Sequence, residues 1–192
     1  MQRNHSVITG PRGSGKTTLL KMLQVSALRE WRSPIREDAI KDLDFTAIYL
    51  GADRSWSTLY ESTEEHEIPP SLRDLIAEAL VIIYLQYASL DTVTGLSDEG
   101  AGRDPYLKKF FIDYRRIEAP LSTMLARQWR CAGDVPSFFI LLSLLGERLN
   151  ELTEVADKAK FGHYATAREA ILDFPFLSLK LGTVAKTMTD AF

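Results

Sequence analysis

Cysteine is almost absent from this chain: Cys131 stands alone among 192 residues. One thiol permits no intrachain disulfide, which fits a reducing compartment. With no His/Cys cluster around it, Cys131 reads as buried filler rather than as a metal ligand or nucleophile. Histidine is scarce too, and His5, His66 and His163 lie too far apart to suggest a metal site. Positive charge is not in excess. The formal net charge is −3, so no global signal for nucleic acid exists. Long hydrophobic runs are missing as well. Val81–Leu85 lies in the most apolar stretch, but Asp74, Glu78 and Gln86 interrupt it, which predicts a core helix and no membrane partner. Met1–Ser6 is polar and the apolar run after it is three residues long, so no secretory leader is read and a cytoplasmic location is expected.

What is present begins ten residues into the chain. Gly10-Pro11-Arg12-Gly13-Ser14-Gly15-Lys16-Thr17 is a complete G-x-x-x-x-G-K-[ST] pattern. The apolar run Val7-Ile8-Thr9 precedes it, and a helical run from Thr17 through Thr18 to Leu23 follows. Strand, loop and helix in that order separate a phosphate-binding loop from a chance match. Each residue type has a physical task. Gly10, Gly13 and Gly15 lack a Cβ, so the backbone can take positive φ and come close to an anion. Successive N–H groups then form a nest for a β-phosphate, and the helix N-terminus adds its dipole. Lys16 is expected to reach the β- and γ-phosphates, and Thr17 to place its hydroxyl on Mg²⁺. Pro11 stiffens the loop, and Arg12 is expected at the solvent side.

The rest of the chain reads as a small α/β start followed by a large helical block. Apolar content is 45% and charged content 26%, the balance of a globular chain with ample length for one core. The pattern predicts strand one over 5–9, helix one over 16–31 and a buried second strand over 45–50. It further predicts a helix over 71–90, an exposed loop over 91–104, and a helix from Pro105 that Pro120 breaks or restarts, reaching about Arg130. A turn at 133–136 precedes a long helix over 137–161. In that helix Leu142, Leu145, Leu149, Leu152, Ala156 and Ala159 recur at heptad spacing. A third strand is read within 170–181. The expected fold class is α/β, a P-loop NTPase start with an incomplete parallel sheet. Residues 1–60 form the P-loop portion and 61–192 the helical portion packed on it.

Charge is uneven. Residues 1–41 carry eight Lys/Arg against three acids, and 103–130 carry seven against three. These stretches read either as solvated helix faces or as a basic surface for nucleic acid or a subunit contact.

Hydrolysis needs more than a cradle: one carboxylate should help hold Mg²⁺ and a second should orient the attacking water. No run of four apolar residues ending in Asp-Asp or Asp-Glu occurs. Asp53, three residues past the second strand, is the nearest substitute; Asp113 and Asp173 have weaker contexts. The expectation is therefore the front part of a longer ATPase. Two other readings stay open. One is a small-molecule P-loop kinase with lid arginines among Arg103, Arg115, Arg116 and Arg127. The other is a non-hydrolysing switch or oligomerisation module.

Val7 through Leu20, with Phe45 through Trp56, resembles the opening of initiator-type AAA ATPases. It is most similar to bacterial P-loop ATPases related to origin-recognition proteins, some of which belong to anti-phage defence operons. The resemblance covers about residues 4–60. It implies ATP and Mg²⁺ as cofactors, assembly into a homo-oligomer or larger complex, and DNA contact. By position it makes Lys16 the nucleotide residue and Thr17 the metal residue. The chain departs from that pattern in lacking the acidic strand and any assignable arginine finger.

Overall fold

The computed structural model describes residues 8–41, 43, 47–49, 68–96, 103, 108, 113, 116–131 and 133–177. Among them run seven helices: α1 (Lys16–Met22), α2 (Val25–Glu30), α3 (Arg36–Lys41), α4 (Pro70–Leu96), α5 (Glu118–Gln128), α6 (Phe138–Lys160) and α7 (Tyr164–Leu172).

Helix α4 starts with Pro70 at its first position, where the missing N–H has no helical partner to lose. It runs six residues beyond the predicted end at Leu90, so 91–96 is helix and not the exposed loop expected there. Val93 and Leu96 are buried, and they extend the apolar face one further turn. Helix α5 begins at Glu118 and carries Pro120 in its first turn, so the proline restarts a helix there. The Ser137 hydroxyl caps α6 by accepting from the Ile140 N–H at 3.3 Å, and the Glu118 carboxylate accepts from the Phe138 N–H at 3.0 Å. At its far end Gly162 takes φ 82°, and the N–H groups of Gly162 and His163 return to Ala159 and Lys158. This glycine turn stops α6 where the sequence predicts.

The core lies between α4 and α6, with α7 packed on both and α5 on α6. Leu72, Ile76, Leu80, Ile83, Leu125, Leu141, Leu145, Leu152 and Ile171 are buried in it. By length and composition alone α4 could cross a membrane, yet half of its most apolar stretch is buried against the chain itself. Its apolarity thus has a use inside the fold.

Several expectations are corrected. Helix one is not continuous: α1 ends at Met22, Gln24 is extended (φ −70°, ψ 146°), and α2 starts at Val25. The break turns Val25 and Leu28 inward, whereas α1 buries none of its residues. In α6 the buried stripe runs through Phe138, Leu141, Leu145, Arg148, Leu152, Val155, Ala156 and Ala159. Leu142 is exposed and Leu149 only partly buried, with Leu141 and Arg148 in the stripe beside them, while Leu145, Leu152, Ala156 and Ala159 of the expected seam are buried. The third strand fails: 164–172 is helical, with Ala167 and Ile171 buried four residues apart, and a turn follows at 175–177. Residues 178–181 lie outside the described residues. No strand occurs among the described residues. Ile8, Thr9 and 47–49 make no ladder, and the rest of the two predicted strands lies outside them.

One contact set ties the helical block together. Arg148 is buried in the apolar stripe of α6. Its Nη2 donates to the carbonyls of Trp129 (2.8 Å) and Arg130 (2.7 Å), and its Nη1 to Gln86 Oε1 (3.3 Å). Its guanidinium also lies 4.6 Å from the centre of the Phe176 ring. It thereby joins α4, α6, the end of α5 and the turn after α7. The carbonyls at the C-terminal end of α5 carry the negative end of that helix dipole, which suits a cation. Burial lowers the pKa of Arg148, opposed by nearby Cys131 and Glu151. Burial also pushes the Cys131 thiol up, opposed by Arg148.

Replacing Arg148 by Met is expected to lower stability by about 2 kcal/mol, since two inward carbonyls lose their donor. Urea unfolding measures this, and an unchanged midpoint would contradict the tie. Because its pKa is raised, Cys131 stays a thiol at neutral pH. Iodoacetamide should label it much more slowly in folded protein than in urea, and equal rates would count against its burial.

Candidate functional site

The glycine-rich loop is described from Gly10 to Thr17, and its shape follows from local chemistry. Pro11 to Ser14 forms a turn closed by the Ser14 N–H donating to the Pro11 carbonyl at 3.3 Å. Gly13 occupies the third turn position with φ 84°, the place a type II turn reserves for glycine. Gly15 is left-handed too, at φ 76° and ψ 10°, and forms the N-cap of α1. The first N–H groups of a helix have no intrahelical acceptor, so the start of α1 offers donors. A Cβ built at Gly13 or Gly15 would meet nothing within 4 Å. Glycine is therefore needed at both for backbone angle, and the space beside them is open.

Lys16 folds back over the loop. Its Nζ donates to the carbonyls of Gly10 and Pro11, both at 2.7 Å, and to Ser14 Oγ at 3.0 Å. Pro11 and Arg12 are exposed, as are Thr17 and Thr18 in the first turn of α1. Lys16, Gly10, Pro11 and Ser14 are thus brought together by direct bonds. Gly13, Gly15, Thr17 and Thr18 join them by chain continuity. Thr17, expected to hold Mg²⁺, lies beside Lys16 at the mouth of the loop. Asp53, proposed from sequence as the acid partner, lies outside the described residues.

The loop stands on a thin support. Helix α1 leaves Leu19 and Leu20 exposed, and Ile8 before the loop is exposed too. Lys21 reaches over the Tyr49 ring, 5.3 Å from its centre. Helix α2 carries the connection onward, with Val25 against the backbone of Gly95 at the end of α4. Leu28 and Ile40 form a separate small core with Trp31 and Leu43.

In the basic stretch 103–130, Arg103, Lys108, Arg116, Arg127 and Arg130 are at the surface. Arg116 pairs with Asp113 at 3.5 Å, and Arg127 lies along the open outer face of α5. Lys109 and Arg115 lie outside the described residues. Sequence reading missed Arg148 altogether, and of Arg130 it saw the charge and not the turn. Arg148 sits in an apolar stripe where periodicity assigns leucine. Arg130 takes φ 55° in the left-handed slot after α5, where its N–H and that of Cys131 return to Arg127 and Ala126. The glycine usual there would have signalled the turn.

Among comparisons with known proteins, a family model described as ORC-CDC6-like matches residues 2–188. No curated protein and no solved structure matches the chain. The family match extends far beyond residues 4–60, to which the visible motif resemblance was confined.

Gly15→Ala tests the loop geometry. A left-handed residue with a Cβ costs about 1–2 kcal/mol, which corresponds to a loss of about 5- to 30-fold in affinity for a triphosphate probe if the loop must keep this shape. Calorimetric titration reads the loss. Unchanged affinity would show that φ at Gly15 is not required.

Proposed function

The chain belongs to the ORC-CDC6-like family, and from that premise we propose that it binds Mg·ATP through residues 10–17 and turns it over within an oligomeric assembly. Family membership makes it an ATP-binding module of the AAA type, with the AAA+ P-loop fold. The observation that carries the finer reading is the loop itself. Two left-handed glycines shape it, the space beside them is open, and Lys16 is bonded across it.

In this reading the main-chain N–H groups of Gly13, Gly15, Lys16 and Thr17 hold the β-phosphate, and Lys16 neutralises the β- and γ-oxygens as a point charge. Thr17 supplies a hydroxyl oxygen to Mg²⁺. A metal held there with Lys16 and Thr17 would supply neutralisation of the negative charge that develops on phosphoryl transfer. Asp53 is proposed as the acid partner. DNA contact through the exposed basic residues of 103–130 belongs to the same proposal, as does a cytoplasmic place of action.

The test is a titration of the full chain with Mg·ATP, alongside phosphate release. Saturable binding is expected, and a hundredfold excess over Kd should stabilise the fold by about 2.7 kcal/mol, seen as a rise in Tm. Lys16→Ala should remove both the rise and the turnover. Binding without phosphate release from the full chain or its assembly would favour the non-hydrolysing switch. No saturable uptake by folded protein would overturn the proposal.

A further inference from the structure

We propose that the Ser14 hydroxyl is a positioning residue for Lys16, completing a three-oxygen cradle that holds the ammonium in place before nucleotide arrives. The inference rests on the reading of residues 10–17 as a phosphate-binding loop. An ammonium has three N–H donors and no acceptor. Here each donor has an oxygen: Gly10 O, Pro11 O and Ser14 Oγ. The two carbonyls come from the backbone and would be present with any side chains. The third oxygen exists only because residue 14 is serine.

Gly10 makes the arrangement possible. A Cβ on it would stand 3.1 Å from Ser14 Oγ and 3.8 Å from both Cδ and Nζ of Lys16. A side chain at position 10 would therefore crowd the Ser14 hydroxyl, while its contact with Lys16 would be an ordinary one. Lys16 is only half-buried and α1 buries none of its residues, so these hydrogen bonds are what fixes the ammonium among the described residues. A free lysine samples many rotamers, and fixing it on binding would weaken affinity. With the cradle complete, the ammonium is already held at the loop when the phosphates arrive, and its N–H groups are then shared between these oxygens and those of the phosphates. The hydroxyl acts through Lys16 and not by touching the nucleotide.

A double-mutant cycle on the full chain separates these roles. Mg·ATP binding is followed by NMR titration, which reads weak affinities, for the wild type and for Ser14→Ala, Lys16→Ala, the double variant and Ser14→Thr. Ser14→Ala should weaken binding by about 3- to 10-fold in the wild type, the loss of one exposed hydrogen bond to a charged group. It should change binding less than about twofold once Lys16 is alanine, and Ser14→Thr should stay near the wild type. Equal weakening on both backgrounds would mean that the hydroxyl meets the phosphate itself, and would overturn the proposal. So would tighter binding by Ser14→Ala, or no effect.

A second readout needs no nucleotide. The Lys16 side-chain ¹⁵N–¹H signal of the free protein, assigned by its loss in Lys16→Arg, should be shifted or broadened away in Ser14→Ala and kept in Ser14→Thr. An unchanged signal overturns the cradle whether or not nucleotide binds. A wild type that shows the cradle signal but takes up no Mg·ATP defeats the functional reading and leaves the cradle standing.

Discussion

A single ammonium bonded to three oxygens of its own loop is the contact on which the N-terminal part of this protein depends. Among the described residues, no buried side chain comes from the loop or from the helix behind it. Helix α1 behind it buries no residue, and Leu19 and Leu20 face outward. The conformation is set by chemistry within eight residues. A proline-started turn needs positive φ at Gly13, a second left-handed glycine opens the helix, and Lys16 ties both ends. A loop determined locally keeps its shape without a ligand, and that is what a preorganised anion site requires.

The helical block has the opposite character. Its order comes from long-range burial between α4, α6 and α7, and from one charged side chain placed inside it. Arg148 is stable there because helix α5 ends against it, so carbonyls that would lack donors are satisfied by the cation. The left-handed turn at Arg130 brings those carbonyls to it. Loop and block meet through α2, where Val25 lies against Gly95.

How much of this could be read from the sequence follows the same division. The turn of the loop was legible because its residues act on one another at short range: Gly13 and Gly15 take the positive φ that the lack of a Cβ allows, while the return of Lys16 to the loop's own oxygens was not read. Helix α6 was legible because its ends carry signals, with Ser137 as cap and Gly162 as stop. The break at Gln24 was not, since Leu23-Gln24 carries neither proline nor glycine. What decides it is the burial of Val25 and Leu28, which local pattern does not display. Arg148 was missed for a related reason. Periodicity places an apolar residue in that stripe, and only the fold reveals the carbonyls waiting for a cation. The third strand was misread because Ala170-Ile171-Leu172 suits either period, and Ala167 four residues before Ile171 decides for a helix. The acid partner Asp53 falls outside the described residues. Family membership, in contrast, spans nearly the whole chain although its visible motif lies in the first third.

Residues 10–17 are proposed to form a self-shaped phosphate cradle. Amide hydrogen exchange on the full chain, with and without Mg·ATP, tests it most directly. The account predicts that nucleotide slows exchange first and most at the amides of 13–17, with Lys16→Ala abolishing the protection. Nucleotide-dependent protection that leaves those amides untouched and falls elsewhere would contradict it.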